Sequence, residues 1–212
     1  MKHTLLIITA LLFITSTVIP QSKVNINNLV EYGGKMFKQD DDKPYTGLVF
    51  DLYRTTGNKS LEGRYKDGLR NGKWIWWNVD NKMDSSGTYK DGNLNGKWTN
   101  WYENGQKRSE KKYKDGVPDG KWTEWSGGEG DPNDYSGAFP YHKSYEETYK
   151  DGKQDGKWTE WFDNGQMSEE GTYKNGIEIE WTGWLYYDNG QKKSEGTFKD
   201  GELDGLSTLW YE

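Results

Sequence analysis

Cysteine is absent from this chain of 212 residues. That removes disulfides, thiolate metal sites, a cysteine nucleophile and a lipid-modified N-terminal cysteine in one step. Histidine is almost absent as well, with only His3 and His142. Basic charge is not in excess: 28 Lys and Arg stand against 34 Asp and Glu, a net of −6. Nucleic-acid binding depends on clustered Lys and Arg, so no nucleic acid is expected among the partners. Aliphatic runs are missing outside the first twenty positions, and the mean hydropathy is −1.12. An ordinary aliphatic core is therefore excluded.

Aromatic residues and glycine fill the space these absences leave: 12 Trp, 15 Tyr, 6 Phe and 27 Gly. Disordered chains are poor in aromatics, so this composition predicts an ordered fold built on ring contacts. The first residues read differently. Lys2 and His3 precede TLLIITALLFITSTVI, too short for a comfortable transmembrane span. A short positive end with an apolar centre is the pattern of a secretory signal, expected over 1–22 and cleaved somewhere in Ser16–Ser22. The mature chain is then expected to be exported: periplasmic, cell-surface or extracellular. Loss of the leader removes Lys2 and no acid, so −6 becomes −7. A lead-in over 23–44 precedes a repeat array over 45–212, with a loop inserted at 126–143.

The array is visible in near-copies of one string: NGKWIWWNVDNK from Asn71, NGKWTNWYENGQK from Asn95, DGKWTEWSGG from Asp119 and DGKWTEWFDNGQM from Asp155. Gly47, Gly72, Gly96, Gly120, Gly156, Gly183 and Gly205 open successive units at spacings of 25, 24, 24, 36, 27 and 22. Repetition at such a period points to a quasi-one-dimensional array. Each unit carries two turn signals. Asn104-Gly105, Asn164-Gly165 and Asn189-Gly190 predict two-residue hairpin loops with both residues at positive φ. Asp115 to Gly120 and its copies predict a longer loop back. The Trp-, Tyr- and Thr-rich runs between them read as strands. The predicted fold is all-β: an elongated antiparallel meander of roughly thirteen strands without helices.

A two-residue Asn-Gly loop fixes the register. Trp98 should face Lys111, Trp101 should face Arg108, and Trp158 should face Gly171. Trp74 should face Gly87, and Phe50 should face Gly63. The longer loop should pair Trp98 with Tyr89 and Trp122 with Tyr113. A ring across a glycine fills the gap that a strand glycine leaves. Side chains alternate along a strand, so two Trp three apart project to opposite faces. One face should carry Phe50, Tyr65, Trp74, Tyr89, Trp98, Tyr113, Trp122, Tyr149, Trp158 and Tyr173. The other should carry Tyr53, Trp77, Trp101, Trp125, Trp161, Tyr186 and Trp210, at about 9.5 Å intervals.

The combination G-K-W-x-x-W-Y-x-N-G with Y-K-D-G, over about Tyr45 to Glu212, resembles MORN repeats. The bacterial variant in the YwqK-type antitoxin family is the closer likeness. The resemblance implies an elongated array of hairpins and a role in protein or membrane-lipid contact or self-association. The antitoxin name implies neutralisation of a toxin partner, which an export leader would confine to the cell envelope.

No catalytic machinery is expected. A Ser-His-Asp arrangement would depend on His142 alone. Carboxylate pairs such as Glu146-Glu147 and Glu169-Glu170 recur beside Lys and Arg, as cross-strand charge pairs do. Glu129, Asp131, Asn133 and Asp134 offer calcium-type oxygens, but Tyr135 and His142 occupy positions where a calcium loop needs ligands. No metal or cofactor is expected. The stripe of Tyr53, Trp77, Trp101, Trp125, Trp161, Tyr186 and Trp210 is the candidate binding surface, because Trp and Tyr offer large rigid contact area. The expected role is a non-enzymatic interaction scaffold for a protein, including a toxin or a second copy. A cell-wall glycan or lipid ligand is the other reading, since sugar rings and choline headgroups also sit on aromatic faces.

Overall fold

The computed structural model describes residues 23–127, 141–205 and 207–211. The predicted signal segment and most of the inserted loop lie outside these residues. Strands dominate: β1 (Val24–Asn25), β2 (Leu29–Tyr32), β3 (Lys35–Lys38), β4 (Gly47–Leu52), β5 (Lys59–Lys66), β6 (Leu69–Arg70) and β7 (Gly72–Trp77). Then come β8 (Met83–Lys90), β9 (Asn93–Trp101), β10 (Lys107–Lys114), β11 (Val117–Ser126), β12 (His142–Lys150), β13 (Lys153–Gln154) and β14 (Gly156–Trp161). The series ends with β15 (Met167–Lys174), β16 (Ile177–Tyr186), β17 (Lys192–Lys199), β18 (Glu202–Leu203) and β19 (Thr208–Leu209). Among the described residues the one helical element is a 3-10 turn, Ile26–Asn28.

From β4 onward the chain is a single antiparallel meander, each strand pairing with its neighbours in sequence, as the repeat predicted. β1 adds one parallel partner to β4. The lead-in is thus structured: β2 and β3 form their own hairpin. Met36 N–H donates to Gly68 O at 3.0 Å, and Tyr45 N–H donates to Met36 O at 2.7 Å. Leu29 joins Tyr45, Val49, Tyr65 and Trp74 in the one compact cluster of buried residues, which caps this end. Repeat arrays need such atypical ends, because an interior module exposes its flank when it stands last. The predicted insertion is shorter at both sides than expected, since Ser126 and His142 are already paired strand residues.

The turn types are the reverse of the sequence reading. Asp91-Gly92 and Asp115-Gly116 are the two-residue turns with both residues at positive φ, and Lys90 closes on Asn93 and Lys114 on Val117. The Asn-Gly loops have only the glycine there: Gly105 at +88°, Gly165 at +81° and Gly190 at +84°. Each is a three-residue loop in which Gly105 N–H donates to Tyr102 O and Tyr102 N–H donates to Gln106 O. The Asn104 side chain accepts from Gln106 N–H at 2.9 Å, holding the asparagine out of the left-handed region.

One extra loop residue should shift every pair. A bulge restores the register immediately afterwards: Trp101 faces Lys107, Arg108 is skipped, and Asn100 faces Ser109. Trp98–Lys111, Trp158–Gly171 and Trp74–Gly87 therefore stand as predicted, whereas Trp101 faces Lys107 and not Arg108. In the first hairpin Tyr53 N–H donates to Asn58 O, so the loop is longer again. Gly63 consequently faces Val49, and Phe50 faces Glu62 on the opposite face from the one predicted. On the far side, Trp98 faces Gly87, not Tyr89, and Trp122 faces Lys111, not Tyr113. The opening glycine causes this: Gly96 and Gly120 sit at φ +108° and +113°, a kink that advances the strand. The rings still meet diagonally, Tyr89 with Trp98 at 6.2 Å and Tyr113 with Trp122 at 5.4 Å.

Residues directly opposite one another share a face. Following these pairs across the strands gives the core row: Trp74, Gly87, Trp98, Lys111, Trp122 and Glu147. Large rings alternate with slender residues, so each indole lies across its neighbour's backbone. A Cβ on Gly87 would stand 2.2 Å from the Trp98 ring. Trp74 is 0% exposed in what is otherwise a single layer, because Trp76, Tyr65 and Tyr89 flank it and Arg70 lies 4.7 Å over its ring.

Candidate interaction face

The opposite face is built from the residues between. Its central row alternates Thr99, Glu110, Thr123, Glu146, Thr159 and Glu170 in direct opposition. Threonine suits a pleated, half-exposed surface, and each glutamate sits between lysines of neighbouring positions. Glu110 binds Lys97 at 2.7 Å and Lys107 at 2.8 Å. Glu146 binds Lys121 at 2.6 Å and Lys143 at 2.7 Å. Burial pushes both carboxyls up, but the lysine hydrogen bonds outweigh it and hold them below the ordinary value. Lys107 and Glu110 are three apart and would normally point to opposite faces. The skipped Arg108 brings them to one side.

Two positions beyond this row on β7, β9, β11 and β14, and four beyond it on β16, stand the predicted rings. Trp77, Trp101, Trp161 and Tyr186 each stand opposite the first residue of the returning strand, Met83, Lys107, Met167 and Lys192, and Trp125 stands opposite the second, Lys143. All five are half-buried. The structure thus gathers them into one stripe. Lysines from the preceding hairpin lie over three of them: Lys59 at 4.9 Å from Trp77, Lys107 at 5.7 Å from Trp125 and Lys143 at 5.9 Å from Trp161. Their stems shield the indoles and their ammonium groups remain outside.

Tyr53 does not stand in the stripe. The longer first loop puts Leu52 there, opposite Lys59. Tyr53 instead begins a second set that sequence reasoning missed. Its hydroxyl donates to Trp77 O at 2.7 Å, as Tyr102 does to Trp125 O and Tyr187 to Trp210 O. Each hairpin tip is thereby tied to the stripe strand of the next. The signal was present as the aromatic before the turn in W-Y-E-N-G and Y-Y-D-N-G. Phe162 occupies this place without a hydroxyl and meets Tyr186 edge-on at 6.1 Å. Trp210 lies just past β19, exposed, with its N–H on Lys193 O.

The carboxylate pairs read from the sequence are not dyads. Glu146 and Glu147 are consecutive in β12 and project to opposite faces. Glu147 is buried, accepting from Gln154 at 2.7 Å. Glu170 faces Lys157 at 3.7 Å while Glu169 lies on the other side. His142 pairs with Ser126 at the base of the insertion, and Glu129, Asp131, Asn133 and Asp134 lie outside the described residues.

Residues 94–115, 154–175 and 185–200 match the family described as MORN repeat variant. These three segments are similar to MORN-variant repeats. The first two matches each run from an opening kinked glycine through a tip to the Asp-Gly or Asn-Gly turn, so the repeat unit is one bulged hairpin. MORN repeats generally make protein or membrane contacts, and the family is not enzymatic in general. No curated protein matches the chain.

Proposed function

We propose that this protein is an exported, non-enzymatic scaffold that binds a protein partner along its lysine-dressed tryptophan stripe. The observation that supports this is the separation of roles between faces. One face spends its indoles on packing against glycine and slender residues. The other repeats a half-exposed ring at every second strand, with an ammonium group over three of the five. Such a surface offers a partner aromatic contact area flanked by charge, the combination enriched at interface hot spots. Export rests on the apolar run after Lys2 and His3.

The partner class follows from the dressing. Lysines over three of the five rings favour an acidic or carbonyl-rich protein surface over a quaternary ammonium headgroup, which the ammonium groups would repel. Neutralisation of an envelope toxin would be one instance of such binding. The test is affinity capture from the native envelope with wild type and with a Trp101→Ala/Trp161→Ala variant. One stoichiometric protein captured by wild type and lost by a folded variant supports the scaffold. Equal capture by both, or retention only on insoluble glycan, overturns it.

A further inference from the structure

The repeat breaks its own rule in the hairpin of β16 and β17. Tyr187 lies six residues after Trp181, whereas Tyr102 lies four after Trp98. The core row ends there in a pair of rings, Trp181 against Phe198, stacked at 4.1 Å and 8°. The next row on that face runs Tyr145, Glu160, Glu169, Gly183 and Gly196 in direct opposition. Trp76 occupies this row in the first complete module; here two glycines face each other. Gly183 was read as a unit-opening residue, but it lacks the left-handed φ of Gly72, Gly96, Gly120 and Gly156. Its role is to leave space.

That space opens into a cavity of about 670 Å³. The volume falls in the range of small-ligand sites. The Trp181–Phe198 stack forms one wall, Phe162 and Leu185 stand at the tip side with Glu160 and Glu169, and Trp161 of the stripe, Asp163 and Glu195 also border it. Lys, Arg and His do not line it. Among the described residues, neither the Glu160 nor the Glu169 carboxylate has a hydrogen bond or ion pair, in contrast to those of Glu110 and Glu146. Like charges directly opposite in a sheet are unfavourable. Burial, then Glu160 and Glu178, push the Glu169 carboxyl up. Two uncompensated acceptors beside an apolar stack call for a cation with N–H donors and a hydrocarbon body.

We propose that this cavity binds an alkylammonium group, with N–H bonds to Glu160 and Glu169 and methylenes against Trp181 and Phe198. A divalent metal fits less well, since among the described residues no three Asp, Glu or His side chains are grouped to hold one. The ligand is either a free amine or the lysine side chain of a polypeptide.

Calorimetric titration of the full chain tests this, with n-hexylamine, n-hexanol, calcium and Nα-acetyl-lysine methylamide as probes. The expected result is saturable 1:1 binding of an amine probe, weakened more than about tenfold, or 1.4 kcal/mol, in Glu160→Gln/Glu169→Gln. Gly196→Val should abolish it, because a Cβ there has its nearest neighbour at 3.5 Å and fills the cavity without straining the backbone. Melting of both variants at or above the wild-type temperature shows that the fold survives. Tighter binding of the lysine derivative assigns the site to a polypeptide, and tighter hexylamine to a free amine. Hexanol binding as well as hexylamine, calcium binding in preference, or unchanged affinity in Gly196→Val would overturn the proposal.

Discussion

At the residue scale, the fold depends on complementary pairs of ring and gap. Gly87 is the clearest case, because the Trp98 indole occupies the volume a Cβ would need. Gly87→Ala is expected to cost about 1–3 kcal/mol, the range for forced overpacking. Chemical denaturation would register this as a lower midpoint with an unchanged slope. The strand glycine and facing indole were legible in the sequence because side-chain alternation is strict. Loop geometry was less so, which is why Phe50 and Tyr53 were each placed one residue wrong. Charge gives a second residue-scale test. The Glu169 carboxyl lies above its unfolded value, so its ionised form opposes folding at neutral pH. That penalty disappears as pH falls through the folded pKa and below the unfolded one. Glu169→Gln should therefore melt higher than wild type at pH 7, with the difference vanishing near pH 4. Glu110 has the opposite sign: its carboxyl lies below the ordinary value, and its stabilisation is lost as acid protonates it. Glu110→Gln should melt lower at pH 7, by about 1 kcal/mol at most for a half-exposed network.

At the element scale, each hairpin combines two different turns and a bulge. The sequence suggested Asn-Gly as the tight two-residue turn, on the strength of that dipeptide's preference. The structure uses Asp-Gly for it and spends Asn-Gly on a three-residue loop, because the asparagine side chain bonds forward to Gln106 N–H. Nothing in composition separates these choices; the length of the flanking strands does. Register survived the error because Arg108 and its equivalents are skipped. The two readings give opposite orders of sensitivity. Asp115 sits at φ +48°, so Asp115→Ala should cost about 1–2 kcal/mol. Asn104→Ala removes one side-chain bond to the backbone and should cost about 0.5–1 kcal/mol. Denaturation midpoints of the two variants measured side by side check the ranking.

At the scale of the whole molecule, neighbours in sequence are neighbours in space, so stability is spread along the array and not gathered in one core. The N-terminal end is the exception, with Leu29 buried against the first module. The lead-in gave little sign of this, since NNLVEYGGKMFK has neither the repeat's tryptophans nor its turn signals. Leu29→Ala is expected to cost about 2–4 kcal/mol, as for other buried leucines. The stripe was legible as a period of rings; which lysine covers which ring was not, because that depends on the bulge that brings Lys107 to the side of Glu110. The division of the indoles between the faces is the claim on which the rest stands. It is tested most directly by the unfolding free energies of Trp158→Ala and Trp161→Ala, three residues apart in one strand. With Trp158 at 7% exposure, its loss should cost about 3–5 kcal/mol. Trp161→Ala should cost about 1 kcal/mol, the smaller effect typical of a partly exposed site. Equal losses, or a larger loss at Trp161, would contradict the account.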